Sequence, residues 1–108
     1  MKTIEEITDE LIDVLKQGPN YQAYYKQQEL VKNCPDVLEK INEIRALNIQ
    51  LQSIQNEEQA YDELERIENR YDELSQDKRV YDFIEAENRF IKVYQDMYRK
   101  IMEQIQFI

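Results

Sequence analysis

The sequence predicts an all-α protein, an elongated bundle of four to five helices that ends in one long C-terminal helix. The 108 residues include one glycine and two prolines, so few tight turns are available to join short elements. Apolar residues recur in steps of three and four, which is the period of helices with one apolar face. The stretch from 77 to 108 contains neither glycine nor proline, and roughly thirty helical residues span about 45 Å. A compact chain of this length is only about 34 Å across, so this helix predicts either an elongated bundle or a partner subunit.

Length and composition predict a single helical domain over residues 1–108, located in the cytoplasm. No stretch approaches the ~18 apolar residues that a membrane-spanning helix needs. The N-terminal stretch carries acids where a signal peptide needs an apolar core. Cys34 is the single cysteine and cannot form an internal disulfide, so we interpret it as a small, half-buried hydrophobic residue. A reactive thiol near a helix N-terminus is the alternative.

Charge and the missing histidine argue against several classes of function. The net charge of −9 disfavours direct contact with nucleic acid and with anionic membranes. Because histidine is the commonest metal ligand and general base, its absence argues against enzyme activity, and we expect no catalytic residues. Together with the single cysteine and the lack of a glycine-rich loop, it predicts no metal and no cofactor. The acidic stretch from Glu57 to Asp77 lacks the glycine of a calcium loop, so we interpret it as a solvated helix face.

Local signals place the boundaries of the first helix. Thr3 and Glu6 form a candidate capping box at its start. Gly18, followed by Pro19, is predicted to end the helix, with Gly18 in the left-handed conformation.

The second helix is predicted from about Asn20 to Lys32, with Asn20 as its N-cap. Its large side chains include Tyr21, Tyr24 and Tyr25. We interpret these tyrosines as rings that pack at the edge of the bundle while their hydroxyls reach water. An aromatic binding platform is the alternative.

The sequence leaves open whether residues 36–75 form one helix or two. Pro35 suits the first turn of a third helix. The apolar face of that helix lapses near Asn56 and then resumes, so we place a break there. Residues 75–77 predict a further break, with Asp77 as the N-cap of the last helix.

The last helix carries a second apolar line beside its core-facing stripe. The residues of this second line are Ile84, Ile91, Tyr98 and Met102. Because a helix with two adjacent apolar lines usually meets more than one neighbour, we predict an oligomer or partner interface along residues 84 to 102. The partner is a second copy or a related chain, and the alternative is that the line packs against the protein's own first helix.

The apolar positions of all the predicted helices together predict the core. The residues expected to be buried there are Ile7, Leu11, Val14, Leu38, Ile41, Leu51, Leu64, Phe83, Phe90 and Ile101.

Several pieces of the sequence, taken in order, carry a family resemblance. They are the stretch N-Y-Q-A-Y-Y, a Val-x-x-Cys-Pro-Asp junction, L-N-I-Q-L-Q and V-Y-D-F-I-E-A-E-N-R-F. Together they resemble the YlbF/YmcA family of small bacterial helical proteins, and the resemblance covers nearly the whole chain. The positions that match the family's pattern are Tyr21, Tyr24, Pro35, Asp36, Val80, Phe83, Ala86 and Glu87.

This resemblance implies a non-catalytic regulatory or adaptor protein. Family members act through protein–protein contacts in a complex that modulates the endoribonuclease RNase Y, and thereby in competence, biofilm formation and sporulation. Some members bind iron–sulfur clusters through a C-terminal cysteine cluster. The sequence here ends at residues 106–108 without such a tail, so no cluster is expected. The alternative function is a generic helical-bundle oligomerisation protein with no link to RNA processing.

Overall fold

A computed structural model of the chain describes residues 1–54 and 57–106, which form five α-helices and no strand. The helices are α1 (Ile4–Gln17), α2 (Pro19–Val31), α3 (Pro35–Gln52), α4 (Glu57–Ser75) and α5 (Lys78–Ile105). The predicted all-α class is confirmed, as is the long last helix, which has 28 residues. Two helices, α3 and α4, occupy the region that the sequence left open. The predicted break near Asn56 itself lies outside the described residues.

Side-chain caps fix the starts of α1 and α5 as the sequence predicts. The Thr3 hydroxyl accepts a hydrogen bond from the backbone N–H of Glu6 at 3.1 Å. At the other capped end, the carboxylate of Asp77 accepts from the backbone N–H of Arg79, also at 3.1 Å. Each cap satisfies one backbone donor that has no partner within its helix.

The predicted left-handed conformation of Gly18 is wrong. Its φ is −73° and its ψ is 154°, which is extended backbone. Pro19 is the physical reason, because the proline ring pushes the residue before it towards extended conformations. The same proline is the first residue of α2, one position before the predicted cap at Asn20, and proline suits that position because its missing N–H is not needed there.

The chain divides into two compact units. Unit 1 contains residues 1–29 and 85–108, and unit 2 contains residues 30–84. Helices α2 and α5 each contribute residues to both units. The single domain over 1–108 therefore stays a prediction, and the two units are described separately below.

Unit 2 holds an apolar core made by the end of α2, by α3 and α4, and by the first turns of α5. Its buried residues are Val31, Val37, Ile41, Ile44, Leu47, Ile67, Leu74, Val80, Phe83 and Ile84. Two residues of the predicted core, Ile41 and Phe83, are among them. Burying one such side chain contributes about 1.5–3 kcal/mol relative to leaving it in water, so these ten residues are the main stabilising term of the unit.

Of the other eight residues of the predicted core, five are exposed, which corrects the prediction for them, and Leu11, Leu64 and Phe90 are half-buried. Of these eight residues, those in unit 1 are Ile7, Leu11, Val14, Phe90 and Ile101, and those in unit 2 are Leu38, Leu51 and Leu64. Leu38 lies about 100° around α3 from the fully buried Val37, on the flank of the apolar face. In unit 1, α1 and the second half of α5 each turn one strip towards the rest of the unit, so apolar side chains on their other strips stay exposed.

Ion pairs join the helices of unit 2 around two arginines. Arg70 on α4 donates two hydrogen bonds to the carboxylate of Glu43 on α3, at 2.7 and 2.8 Å. Arg79 at the start of α5 bonds Asp36 at 3.0 Å and Asp77 at 2.9 Å. These guanidinium groups lower the pKa of Glu43, of Asp36 and, most strongly, of Asp77 below the usual carboxyl range. Both arginine pKa values are raised in turn, so each pair is charged across the physiological range.

Asp77 is the most enclosed of these carboxylates. Its side chain is 14% exposed, and Lys40 on α3 adds a further hydrogen bond at 3.1 Å. One carboxylate thus caps the N-terminus of α5 and links α3 to the start of that helix. Its charge therefore stabilises both the first turn of α5 and the packing of unit 2.

We expect Asp77→Asn to flatten the dependence of stability on acidic pH. Because the folded-state pKa of Asp77 is lowered, its charge stabilises the fold fully above the unfolded-state pKa of about 4. That contribution is lost as the pH falls below this value towards the folded-state pKa. Asparagine keeps an oxygen for the cap and removes the charge. Urea unfolding between about pH 6 and about pH 3 should show a steeper loss of stability in the wild type than in the variant.

The matched control is Asp72→Asn, which removes one carboxylate from an exposed position on α4. Equal slopes for the wild type and Asp77→Asn would contradict this account. If Asp72→Asn flattens the dependence of stability on pH as much as Asp77→Asn does, the effect comes from the change in net charge and not from the contacts of Asp77.

Candidate interaction surface

Helix α1 in unit 1 presents an apolar row that is largely open. The row consists of Ile4, Ile7, Leu11 and Val14, in steps of three, four and three. Ile7 is 52% exposed and Val14 is 65% exposed, while Leu11 is half-buried. We call these four residues the α1 seam. Steps of three and four keep side chains on one side of a helix, so the α1 seam is a continuous strip.

The second half of α5, also in unit 1, presents a longer open row. Its members, which we call the α5 seam, are Ile91, Tyr94, Tyr98, Ile101 and Ile105. Their steps of three, four, three and four are the spacing of core positions in a coiled coil. All five side chains are between 40% and 69% exposed, so the seam is uncovered along its whole length.

The structure separates the four residues of the predicted interface. Ile84 is 5% exposed and belongs to the core of unit 2. The other three lie in unit 1, where Ile91 and Tyr98 are exposed members of the α5 seam and Met102 is half-buried. Ile91, Tyr98 and Met102 therefore remain the part of the predicted interface that is accessible within unit 1.

Three members of the α5 seam, Tyr94, Ile101 and Ile105, lie outside the predicted interface, and Ile101 was predicted to lie in the core. The side of α5 that unit 1 does cover carries Phe90, Val93 and Met97, all of them half-buried. Both rows have steps of three and four, so the period alone could not identify which row faces the rest of the chain. A search of the same helix for a second row of apolar residues with unbroken coiled-coil spacing would have indicated the open seam.

Aromatic rings from α2 help to cover the inner side of α5. The ring of Tyr24 stacks on Phe90 with 5.7 Å between centroids, and Tyr21 meets Phe90 edge-on at 5.6 Å. The hydroxyl of Tyr24 donates to the carboxylate of Glu87 at 3.1 Å. Two of the three clustered tyrosines thus pack their rings against α5 within unit 1, as interpreted from the sequence, and Tyr25 is exposed beside Tyr21. The Tyr24 hydroxyl departs from that interpretation, because it bonds Glu87 where contact with water was expected.

A small apolar cleft of about 220 Å³ lies where α1 and α2 meet α5 in unit 1. Its lining residues are Val14, Leu15, Gly18, Pro19, Asn20, Tyr21, Phe90 and Val93. Tyr21 is the one titratable residue among them, so this lining offers no paired acid and base for catalysis. The cleft suits contact with an apolar side chain, and it continues the apolar surface of the α1 seam.

The two helical segments that carry the seams have opposite net charges. Helix α1 carries five acidic residues, Glu5, Glu6, Asp9, Glu10 and Asp13, against Lys16. The second half of α5, residues 88–105, carries four basic residues, Arg89, Lys92, Arg99 and Lys100, against Asp96 and Glu103. Unit 1 therefore combines an acidic helix and a basic half-helix in a chain whose net charge is −9.

The described residues give little support to other kinds of site. Cys34 is half-buried, and its thiol lies 3.7 Å from the carbonyl oxygen of Leu30, which agrees with the packing interpretation. Across residues 1–54 and 57–106, no cluster of three or more histidine, cysteine, aspartate or glutamate side chains could hold a metal ion. Within the same ranges, none of the helices has the length and apolar character needed to cross a membrane.

Comparison with known proteins gives a family and no individual relative. Neither the curated proteins nor the solved structures gave a match. The family model described as "Control of competence regulator ComK, YlbF/YmcA" matches residues 4–106, which includes all five helices and both seams. This is the family indicated by the aromatic second helix, the Pro35 junction and the opening of the last helix. With that match over nearly its whole length, the chain belongs to the YlbF/YmcA family of competence regulators.

Proposed function

We propose that this protein is a non-catalytic adaptor in the cytoplasm, acting through protein–protein contacts in a complex that modulates RNase Y-dependent RNA processing. Through that complex it would influence competence, biofilm formation and sporulation. Membership of a family that controls the competence regulator ComK supports the regulatory part of the proposal. The single observation that carries the adaptor part is the uncovered α5 seam, with five large apolar side chains at coiled-coil spacing.

Protein rather than RNA is the partner class that the surface favours. An RNA-binding surface needs clustered basic side chains, and the chain carries 23 acidic against 14 basic residues. The basic residues of α5 are interspersed with Asp96 and Glu103, and the α5 seam between them is apolar. Desolvation of such an apolar strip drives protein association.

We further propose that the protein self-associates, as a homodimer or with a related chain, through Ile91, Tyr98, Met102 and the rest of the α5 seam. A strip of large apolar side chains left in water is costly, and a soluble protein normally covers it with a partner. Coiled-coil spacing specifies that the partner surface is another helix. The alternative function, a helical oligomerisation protein with no link to RNA processing, uses the same surface.

Capture of RNase Y separates the adaptor from this alternative. The tagged full-length chain, expressed in a bacterium that contains RNase Y, should co-purify RNase Y detected by antibody. Loss of the protein should also change the cleavage of RNase Y-dependent transcripts. No co-purification together with unchanged transcript cleavage would leave the oligomerisation protein as the function.

We expect Ile91→Glu to convert a self-associated wild type into a monomer, because the substitution places a charge on the apolar strip, at the first position of the α5 seam. Sedimentation equilibrium at about 100 µM, well above micromolar affinities, should give at least twice the 13.2 kDa chain mass for the wild type. The matched control is Ile49→Glu, since Ile49 is an isoleucine on α3 that is 67% exposed and lies outside unit 1. A monomeric wild type would contradict the proposed self-association. An intact oligomer in Ile91→Glu would show that the interface does not include the α5 seam at Ile91.

A further inference from the structure

We propose that unit 1 opens and closes as one cooperative unit while unit 2 stays folded, so that the two seams are present only in the closed state. The free energy of such a local opening is set by how strongly each unit is held together. The opening is a property of the single chain and does not depend on the proposed self-association. Its use as a switch of the interaction surface rests on the proposed function.

The two units differ in how much apolar side chain they bury. Unit 2 buries ten apolar residues of the size of valine or larger, and four of them are almost completely enclosed. Among residues 1–29 and 85–106 of unit 1, Ala86 is the one buried residue, and its side chain is a single methyl group. Helix α1 has no buried residue. Because burial of apolar side chains is the main force that opposes unfolding, unit 1 is held less strongly than unit 2.

The packing inside unit 1 centres on one half-buried ring, that of Phe90. Tyr24 stacks on this ring, Tyr21 meets it edge-on, and the Tyr24 hydroxyl bonds Glu87 on the same helix, α5. On its other border the ring lines the cleft of about 220 Å³, which Leu15 of α1 also lines. An open cleft lacks the contacts that close-packed side chains would make. One ring therefore joins α2 to α5 beside an incompletely filled contact with α1.

Ion pairs add to the difference between the units. In unit 2, Arg70 and Arg79 each form an ion pair that joins two helices. In unit 1, Arg89 and Arg99 instead pair with acids four and three residues before them on α5. A pair within one helix supports that helix but does not hold it against another.

The length of α1 couples its docking to its helical structure. Helix α1 has 14 residues, and isolated helices of roughly 12–15 residues are marginal in water. Undocked α1 therefore loses helix, and its seam disappears because steps of three and four share one side only in a helix. The second half of α5 loses its covering neighbours in the same event. A partner that binds the closed state shifts the equilibrium towards it by mass action.

Two identical substitutions on α5 test whether the units open separately. Phe90→Ala removes the central ring of unit 1, and Phe83→Ala removes a ring that is 4% exposed in the core of unit 2. The two positions are seven residues apart on one side of α5, so Phe83→Ala is the matched control. Both are made in the full-length Ile91→Glu chain and measured at about 1 µM, so that opening of the single chain is not confused with dissociation of an oligomer.

Amide hydrogen exchange measures the opening helix by helix. In the Ile91→Glu parent, we expect amides of α1 and of the second half of α5 to be protected roughly tenfold or more less than those of α3 and α4. Phe90→Ala should speed exchange in α1 and in the second half of α5 by a common factor of roughly five or more, with α3 and α4 unchanged. Phe83→Ala should speed exchange in α3 and α4 and leave the rates of α1 within about twofold. Where circular dichroism shows that an alanine variant has lost its helices, Phe90→Leu and Phe83→Leu replace the pair.

Three results would overturn the inference. Equal protection of all the helices in the parent, or a common factor in every helix for either substitution, would show that the chain opens as a whole. Faster exchange in α5 alone after Phe90→Ala, with α1 unchanged, would show independent fraying of the two helices. None of these results bears on capture of RNase Y or on the oligomeric mass of the wild type, so the proposed function is tested separately.

Discussion

Unit 1 has more apolar helix surface than its own residues cover. Helix α1, the start of α2 and the second half of α5 are amphipathic, and each contributes one strip to the packing inside the unit. The α5 seam and most of the α1 seam remain exposed to water. Apolar area removed from water contributes about 25 cal/mol per Å², so leaving both strips exposed forgoes stability that another helix could supply.

Unit 2, by contrast, has a fully buried apolar core. Its buried residues come from the end of α2, from α3 and α4 and from the start of α5, and ion pairs at Arg70 and Arg79 join the helices around that core. Asp77 combines a helix cap with two charge pairs at the point where α5 begins. The same long helix is therefore anchored by polar contacts at its start and presents an open apolar seam in its second half.

The sequence predicted local features well because their causes are local. Thr3 and Asp77 cap helices through bonds to residues three and two positions away, and the near-absence of glycine and proline permits little except helix. Gly18 shows the limit of that reasoning, since the proline that follows it outweighed the usual left-handed preference of glycine. The family resemblance was likewise carried by short motifs along the chain, and the match over residues 4–106 confirmed it.

The core and the surface were harder to predict because they depend on which neighbour each strip meets. Ile101 and Val14 have the spacing of core residues and are exposed, while Ile84 has the position of an interface residue and is buried. A period of three and four defines a face of a helix and does not specify what covers it. On α5 two such rows lie side by side, so the choice between them required the folded chain.

Amide hydrogen exchange followed over a dilution series tests the central claim most directly. If a second copy covers the seams of unit 1, amides of α1 and of the second half of α5 should exchange more slowly as protein concentration rises, because helix opening then requires dissociation. Amides of α3 and α4, whose packing lies within unit 2, should keep the same exchange rates at every concentration. Rates in α1 and α5 that do not depend on concentration would contradict the account, as would protection that rises equally in all the helices.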